Sequence, residues 1–220
     1  MTLVSITVCA RNAENWVDQC LSSLFSQDHR PLEIIAVNDG STDSTFERMK
    51  TFKEKNETPD INLTIIDSDA KGLSAGRQIG LDCSKGQWVA ITDIDCCPES
   101  NWISSMISVC DGYPSEDVMA VTGRTVFNKG NTRVSRLRSE EIRRKYIGRS
   151  RVTTLANGPC SMFRRDALIS IGGFNPSWYH AEDMEVSLRL IEKGGTIIYS
   201  PEALVNHVAE EQLSIFLKKR

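Results

Sequence analysis

Runs of apolar, often β-branched residues alternate with segments of helical period through the N-terminal half of the chain. The runs cover residues 4–10, 32–38, 63–67 and 88–92. Between them, apolar residues recur every three or four positions, which is the spacing of a helix with one buried face. Because the runs are apolar throughout, we expect helices on both faces of the sheet that they form. The pattern predicts an α/β fold with a mainly parallel central sheet flanked by helices.

The C-terminal half continues with a less regular pattern. Residues 118–122 predict a fifth strand, and residues 196–200 and 203–207 predict two more. Apolar residues at helical spacing lie between Met184 and Ile191, and the segment LSIFLKK near the end is typical of a short amphipathic helix. We find neither an internal repeat nor a linker-like composition, so we expect one domain over residues 1–220.

The overall composition is that of an ordinary globular protein. The chain has 220 residues, 40% of them hydrophobic and 25% charged, with a net charge of −3. This excludes collagen-like and disordered chains, and the net charge gives no indication of nucleic-acid binding. No apolar run approaches the ~20 residues of a membrane span, and the N-terminus lacks the pattern of a signal peptide. The seven cysteines form no C-x-x-C pair, so we expect reduced thiols and a cytoplasmic location.

One segment departs from this balance of charge. Residues 124–151 contain ten lysines and arginines against two glutamates, a local charge of +8 on an otherwise acidic chain. The segment is either solvated surface charge or a contact region for phosphate groups. In the second case the partner is a phosphate-bearing acceptor, such as a phospholipid-linked sugar, or the anionic inner face of the membrane in a peripheral contact. RNA fits less well, since no aromatic-rich platform accompanies the charges.

Acidic side chains follow three of the four N-terminal strands, at the edge where α/β sheets bind their ligands. Asp93 and Asp95 follow the fourth strand, and alternation along an extended chain puts both side chains on one side. They form either an oxygen site for Mg²⁺ or Mn²⁺ or an ordinary carboxylate pair in a turn. Asp39, in an Asn-Asp-Gly turn, either accepts the ring N–H of a nucleobase or serves turn geometry. Neither a G-x-G-x-x-G motif nor a P-loop is present.

The order of the motifs along the chain resembles that of family 2 glycosyltransferases. The blocks that carry the resemblance are VSITVCARNAENWVDQCLSSLFSQ, LEIIAVNDGSTDST, KGLSAGRQIGL, GQWVAITDIDCCPESNWI, NGPCSMFRRDALISIGGF, EDMEVSLRLIEKG and PEALVNH. Together they cover nearly the whole chain except residues 124–151. The resemblance implies the GT-A fold, a single Rossmann-like α/β domain. It also implies a nucleotide-binding half over residues 1–123 and an acceptor-binding half over residues 124–220, with a basic loop at 124–151.

The resemblance implies a nucleotide-sugar donor and the residues that bind it. Ala10, Arg11 and Glu14 would line the base and ribose pocket, and Asp39 would pair with the base. Arg77 would reach the base or phosphate region of the donor. The first block reads CARN where the common pattern is Pro-Thr-Tyr-Asn, so the aromatic residue that stacks on the base is missing. A UDP-sugar is the expected donor.

The resemblance also implies a metal site and a general base. Asp93 would hold the ribose or the metal, Asp95 would bind the divalent ion of a DXD motif, and His207 would be a third metal ligand. The expected cofactor is Mn²⁺ or Mg²⁺. Glu182 matches the first residue of the family's acidic pair and is placed at the sugar or acceptor, while Asp183 matches the second, which serves as the general base.

The activity implied is inverting, metal-dependent transfer of a sugar to an acceptor glycan or phospholipid-linked sugar in cell-surface polysaccharide or glycolipid synthesis. Gly158 either lets the backbone approach the sugar or acceptor or forms a turn. One alternative is a sugar-phosphate nucleotidyltransferase, but it needs a Gly-rich basic loop after the first strand, and CARNAEN is not one. The other is a non-catalytic nucleotide-sugar binding module.

Overall fold

A computed structural model of the protein describes residues 2–56, 58–113, 117–128, 130–178 and 181–208. Over these ranges the chain forms nine strands in one sheet, together with seven helices. The strands are β1 (Val4–Ala10), β2 (Leu32–Asp39), β3 (Ile61–Ser68), β4 (Trp88–Asp93), β5 (Cys96–Pro98), β6 (Val118–Asn128), β7 (Val152–Thr153), β8 (Ser161–Arg164) and β9 (Thr196–Val208). The helices are α1 (Val17–Phe25), α2 (Thr45–Asn56), α3 (Leu73–Cys83), α4 (Trp102–Asp111), α5 (Arg133–Arg144), α6 (Arg165–Ser170) and α7 (Glu182–Glu192).

The first four strands form the parallel half of the sheet, in the order β3-β2-β1-β4. Every residue of β1 and β2 is buried, as expected for strands that helices cover on both faces. β4 shows how the two faces divide, because Ala90 packs in one apolar cluster while Val89 and Ile91 pack in another. Successive side chains of a strand point to opposite faces, so a separate apolar layer lies on each side of the sheet. The predicted α/β architecture is confirmed.

The rest of the sheet is mixed, but the sheet as a whole is mainly parallel, as predicted, because its longest pairings are parallel. β8 pairs antiparallel with both β4 and β6, whereas β6 pairs parallel with β9. β9 is continuous where the sequence predicts two strands. Its register against β6 shifts at Gly123, where a Cβ atom would lie 2.4 Å from the Ala203 carbonyl oxygen. The glycine therefore permits the close backbone approach that keeps β9 unbroken.

Much of the basic segment is regular structure, which corrects the expected loop at 124–151. β6 continues to Asn128, and α5 follows it. Ile142 of α5 packs against Phe127 of β6, and the Ser139 hydroxyl donates to the Phe127 carbonyl oxygen at 2.6 Å. The positive charge is therefore carried largely by a helix that is attached to the end of a sheet strand.

All seven cysteines are free thiols. In the part of the chain that the structure describes, none of the helices combines the length and the apolar composition that crossing a bilayer requires. The predicted amphipathic segment LSIFLKK lies outside the described residues.

Candidate active site at the carboxyl edge of the sheet

Four potential metal ligands meet where β4 ends and β5 begins. The short strand β5 pairs antiparallel with the end of β9, and this pairing puts Cys96 opposite His207. Asp93, Asp95, Cys96 and His207 each offer one ligand atom, and these atoms all lie within 4.8 Å of one another. The Nε2 atom of His207 is 3.4 Å from Asp95 Oδ1. The structure thus brings together the three residues that the sequence analysis placed at a metal, and it adds Cys96.

The donor set fits Mn²⁺ or Mg²⁺. The Nδ1 atom of His207 is 2.7 Å from the Val208 carbonyl oxygen, which can only accept, so Nδ1 carries a hydrogen and Nε2 is the ring nitrogen that faces the cluster. Burial raises the pKa of the Cys96 thiol, and the carboxylates of Asp93 and Asp95 raise it further. A metal ion would itself deprotonate a coordinating thiol, but thiolates are ligands for softer metals. The two carboxylates and the imidazole are the ligands suited to Mn²⁺ or Mg²⁺.

Arg77 lies beside this cluster and is bonded within the protein, and its expected contact with the base or phosphate of a donor stays a prediction. Its side chain is 2% exposed, and its guanidinium donates to Asp93 Oδ1 at 2.9 Å and to the Glu182 carboxylate. Burial opposes the charge, but Asp93 and Glu182 outweigh that effect, so the pKa of Arg77 is raised. A guanidinium bonded to two carboxylates in a desolvated place acts as an internal link between β4 and α7.

The same link explains Gly158 and Glu182. A Cβ atom at position 158 would lie 2.9 Å from the Arg77 guanidinium, so the guanidinium occupies the space beside this glycine. Approach of a sugar or acceptor to Gly158 stays a prediction. Glu182 is buried and bonded to Arg77, and it also lines a cavity together with Ala10 and Asp39, so its expected place at the sugar or acceptor stays a prediction.

Asp183 is the half-buried acid of the pair, in the first turn of α7. Its Oδ2 atom accepts the Gly158 N–H at 2.9 Å, and its Oδ1 atom accepts the Met184 N–H at 2.9 Å. These two bonds orient the carboxylate at the N-terminus of α7. Each oxygen keeps a second lone pair for an acceptor hydroxyl.

A cavity of about 360 Å³ lies beside the cluster, at the ends of β1 and β2. Ala10, Arg11 and Asp39 line it, as do Cys9 and Glu182. The Asp39 oxygens accept backbone N–H groups of the loop before α3 at 2.7 and 3.0 Å. These bonds fix the carboxylate in the cavity wall, where each oxygen retains capacity for one more donor.

Glu14 is not among the residues that line this cavity, and its expected place at the base and ribose stays a prediction. Its carboxylate accepts the Ser44 N–H at 3.1 Å, next to the start of α2. Acidic groups are favoured at a helix N-terminus because backbone N–H groups are unpaired there. Glu14 therefore stabilises the helix that follows β2.

The amino-acid sequence is similar to those of known glycosyltransferases. Residues 5–172 match the family model described as Glycosyl transferase family 2. An uncharacterized glycosyltransferase of Haemophilus influenzae is 36% identical over 107 residues, which are 48% of this chain and 32% of that protein. The glucosyl-dolichyl phosphate glucuronosyltransferase of Haloferax volcanii is 26% identical over 221 residues, covering 93% of this chain and 68% of that protein.

Comparison on structure shows the fold. A mannosyltransferase from Pyrobaculum calidifontis in complex with GDP-Man and Mn²⁺ aligns with a TM-score of 0.73 at 21% identity, over 93% of this chain and 56% of that one. The predicted GT-A fold is thereby confirmed. The chain spans only part of the length of the Haemophilus and Pyrobaculum proteins. Because the family model covers well over half of the residues, the chain belongs to glycosyl transferase family 2.

Proposed function

We propose that this protein transfers a sugar from a nucleoside-diphosphate donor to an acceptor hydroxyl, with inversion at the anomeric carbon. The observation that carries the proposal is the convergence of Asp93, Asp95 and His207, whose ligand atoms lie within 4.8 Å of one another. The cluster is one strand from the cavity at the end of β1, since Asp93 is the register partner of Cys9, which lines that cavity. A metal site and a nucleoside-sized cavity are therefore neighbours.

The donor binds across these two features. Ala10, Arg11 and Asp39 would hold the nucleoside, with an Asp39 oxygen accepting a ring N–H of the base. A divalent cation held by Asp93, Asp95 and His207, Mn²⁺ or Mg²⁺, would offset the charge that develops on the departing diphosphate. We keep uridine as the proposed base, although the Pyrobaculum structure holds GDP-Man.

Asp183 is the proposed general base. The other acid of the pair, Glu182, is bonded to the Arg77 guanidinium, so Asp183 is the member with capacity for an acceptor hydroxyl. A positioned carboxylate that removes the proton from the attacking oxygen contributes roughly 10²–10⁴-fold in rate. A single displacement of this kind inverts the anomeric carbon.

The acceptor is proposed to be a glycan or a phospholipid-linked sugar, bound by residues 124–220 while residues 1–123 bind the nucleotide. The basic α5 supports an anionic acceptor or a peripheral contact with an anionic membrane. The Haloferax relative is itself named for a dolichyl phosphate substrate. These features fit a cytoplasmic role in cell-surface polysaccharide or glycolipid synthesis.

Slow hydrolysis of the donor tests the proposal without knowledge of the acceptor. We expect release of nucleoside diphosphate from a panel of nucleotide sugars in the presence of Mn²⁺, and its loss with EDTA. Asp95→Asn should weaken Mn²⁺-dependent binding of the nucleotide by about 100-fold, because it removes a charged ligand. Asp111→Asn, an exposed carboxylate at the end of α4, is the matched control. Unchanged calorimetric affinity in Asp95→Asn contradicts the metal role.

Further measurements test the base and separate the alternatives. Asp183→Asn should lower transfer roughly 10²–10⁴-fold while nucleotide affinity stays near that of the wild type. Near wild-type turnover in this variant would refute the role of the base. Pyrophosphate formed from nucleoside triphosphate and sugar phosphate would identify a nucleotidyltransferase, whereas tight nucleotide binding without any release would identify a binding module.

A further inference from the structure

A separate cavity of about 410 Å³ lies between the end of β6 and α5. Its wall is partly apolar, with Phe127 and Ile147, and partly cationic, with Arg124 and Arg143. The proposed donor site uses none of these residues. The cavity is therefore a second place where this chain can enclose a ligand.

The position of this cavity relates it to both halves of the proposed chemistry. The Phe127 ring in its wall stacks on His207, with ring centroids 4.3 Å apart and an interplanar angle of 11°. Thr125, also in the wall, donates to Asn157 Oδ1 at 3.2 Å, and the next residue, Gly158, donates its N–H to Asp183. The cavity thus touches the neighbours of a proposed metal ligand and of the proposed base.

Arg124, in this wall, has no hydrogen-bond acceptor among the residues that the structure describes. Within the described ranges its guanidinium makes no hydrogen bond and no ion pair, and its Nε atom is buried without a partner. Arg124 is half-buried, and partial desolvation of a cation without an acceptor is unfavourable, so arginines in such places are ordinarily paired. An anionic group of a ligand would supply the missing acceptor.

Arg143 adds positive charge at the rim. The Glu140 carboxylate also lines the cavity and is shared by Arg143 and Arg144, which lower its pKa to about 2. In the wall its negative charge stands against the positive charges of Arg124 and Arg143. Ile147, which lines the cavity, is 64% exposed, and Leu137 of α5 is 59% exposed. Cationic and apolar surface therefore lie side by side in and around one cavity.

We propose that this cavity binds an anionic amphiphile, a phosphate ester joined to a hydrocarbon chain, with Arg124 and Arg143 on the phosphate and Phe127 and Ile147 on the chain. The role of this amphiphile as the acceptor rests on the proposed function, whereas its binding to the cavity does not depend on that function.

The experiment is a calorimetric titration in EDTA with geranyl phosphate and with its two components, inorganic phosphate and geraniol. Because both charge and chain are recognised, geranyl phosphate should bind at least about tenfold more tightly than either of the others. Equal affinity for inorganic phosphate would overturn the proposal, since the apolar wall would then play no part.

Variants assign the binding to named residues. Arg124→Gln should weaken geranyl phosphate binding roughly tenfold or more, while the melting temperature stays unchanged because no native partner is lost. Arg143→Ala and Arg144→Ala form a matched pair, since both residues are bonded to Glu140 and only Arg143 lines the cavity. Only Arg143→Ala should weaken binding.

Two outcomes would refute the assignment: wild-type affinity in Arg124→Gln, or equal losses in the two exposed variants, which would indicate general surface charge. The titration needs no donor, metal or turnover. Binding as expected without any release of nucleoside diphosphate would contradict the proposed function alone, and the reverse result would contradict only this cavity.

Discussion

Replacing Arg77 with methionine should destabilise the protein strongly. Methionine fills much of the same space but removes the charge. In the native structure the guanidinium is 2% exposed and is bonded to Asp93 and Glu182, whose side chains are 28% and 8% exposed. Without it, two carboxylates in a poorly solvated region lose their cation. Removing one partner of a buried ion pair costs about 3–5 kcal/mol.

For a chain of this length, a loss of about 3–5 kcal/mol corresponds to a fall in Tm of roughly 6–20 °C. The free energy of unfolding is measured by urea titration at neutral pH, and Tm by calorimetry. Arg48→Met is the matched control, since Arg48 and Asp18 form an exposed pair at 2.6 Å with 47% and 59% of their side chains accessible. That change should cost no more than about 1 kcal/mol. Equal losses in the two variants would refute the reasoning.

Two further predictions use the same measurements. Gly158→Ala brings a Cβ atom to 2.9 Å from the Arg77 guanidinium, so it should lower the free energy of unfolding by about 1–3 kcal/mol in the wild type. In the Arg77→Met background the loss should be much smaller, and additive losses in the double variant would contradict this. Burial raises the pKa of the Cys9 and Cys160 thiols from 9.0 to about 12. The unfolded chain therefore releases these protons first, and stability should be unaffected below pH ~9 and fall as the pH rises toward ~12, by about 1 kcal/mol per thiol at pH 10. Urea titrations in reductant at pH ~8 and ~10 measure the difference in the free energy of unfolding. Cys160→Ala should reduce this difference, and an equal free energy of unfolding at both pH values would disprove the prediction.

The parallel half of the fold could be predicted because continuous apolar runs between helical segments leave few alternatives. The metal cluster could be predicted only in part. Asp93 and Asp95 are close in sequence, but His207 joins them through the pairing of β5 with β9. β5 is three residues long, and its pairing depends on contacts distant in the sequence. No local pattern could therefore place Cys96 opposite His207.

The internal contacts of Arg77, Glu182 and Gly158, which the sequence analysis did not predict, have one physical origin. An arginine near a nucleotide site resembles a phosphate ligand when only its charge is considered. Its place on α3 carries another signal, since Arg77 precedes Gly80 and Leu81 by three and four residues, on the face of the helix that is buried. An arginine on the buried face of a helix needs carboxylate partners inside the protein.

In the proposed mechanism, Arg77 joins two parts of the site that come from distant elements. Through Asp93 it is attached to the metal-binding edge after β4, and through Glu182 to the first turn of α7, where Asp183 is the next residue. The planar guanidinium holds both partners in a fixed geometry, which the flexible point charge of a lysine does not. The ligand for the cation and the base for the acceptor are therefore positioned relative to each other before either substrate binds, and such preorganisation is what electrostatic stabilisation of a transition state requires.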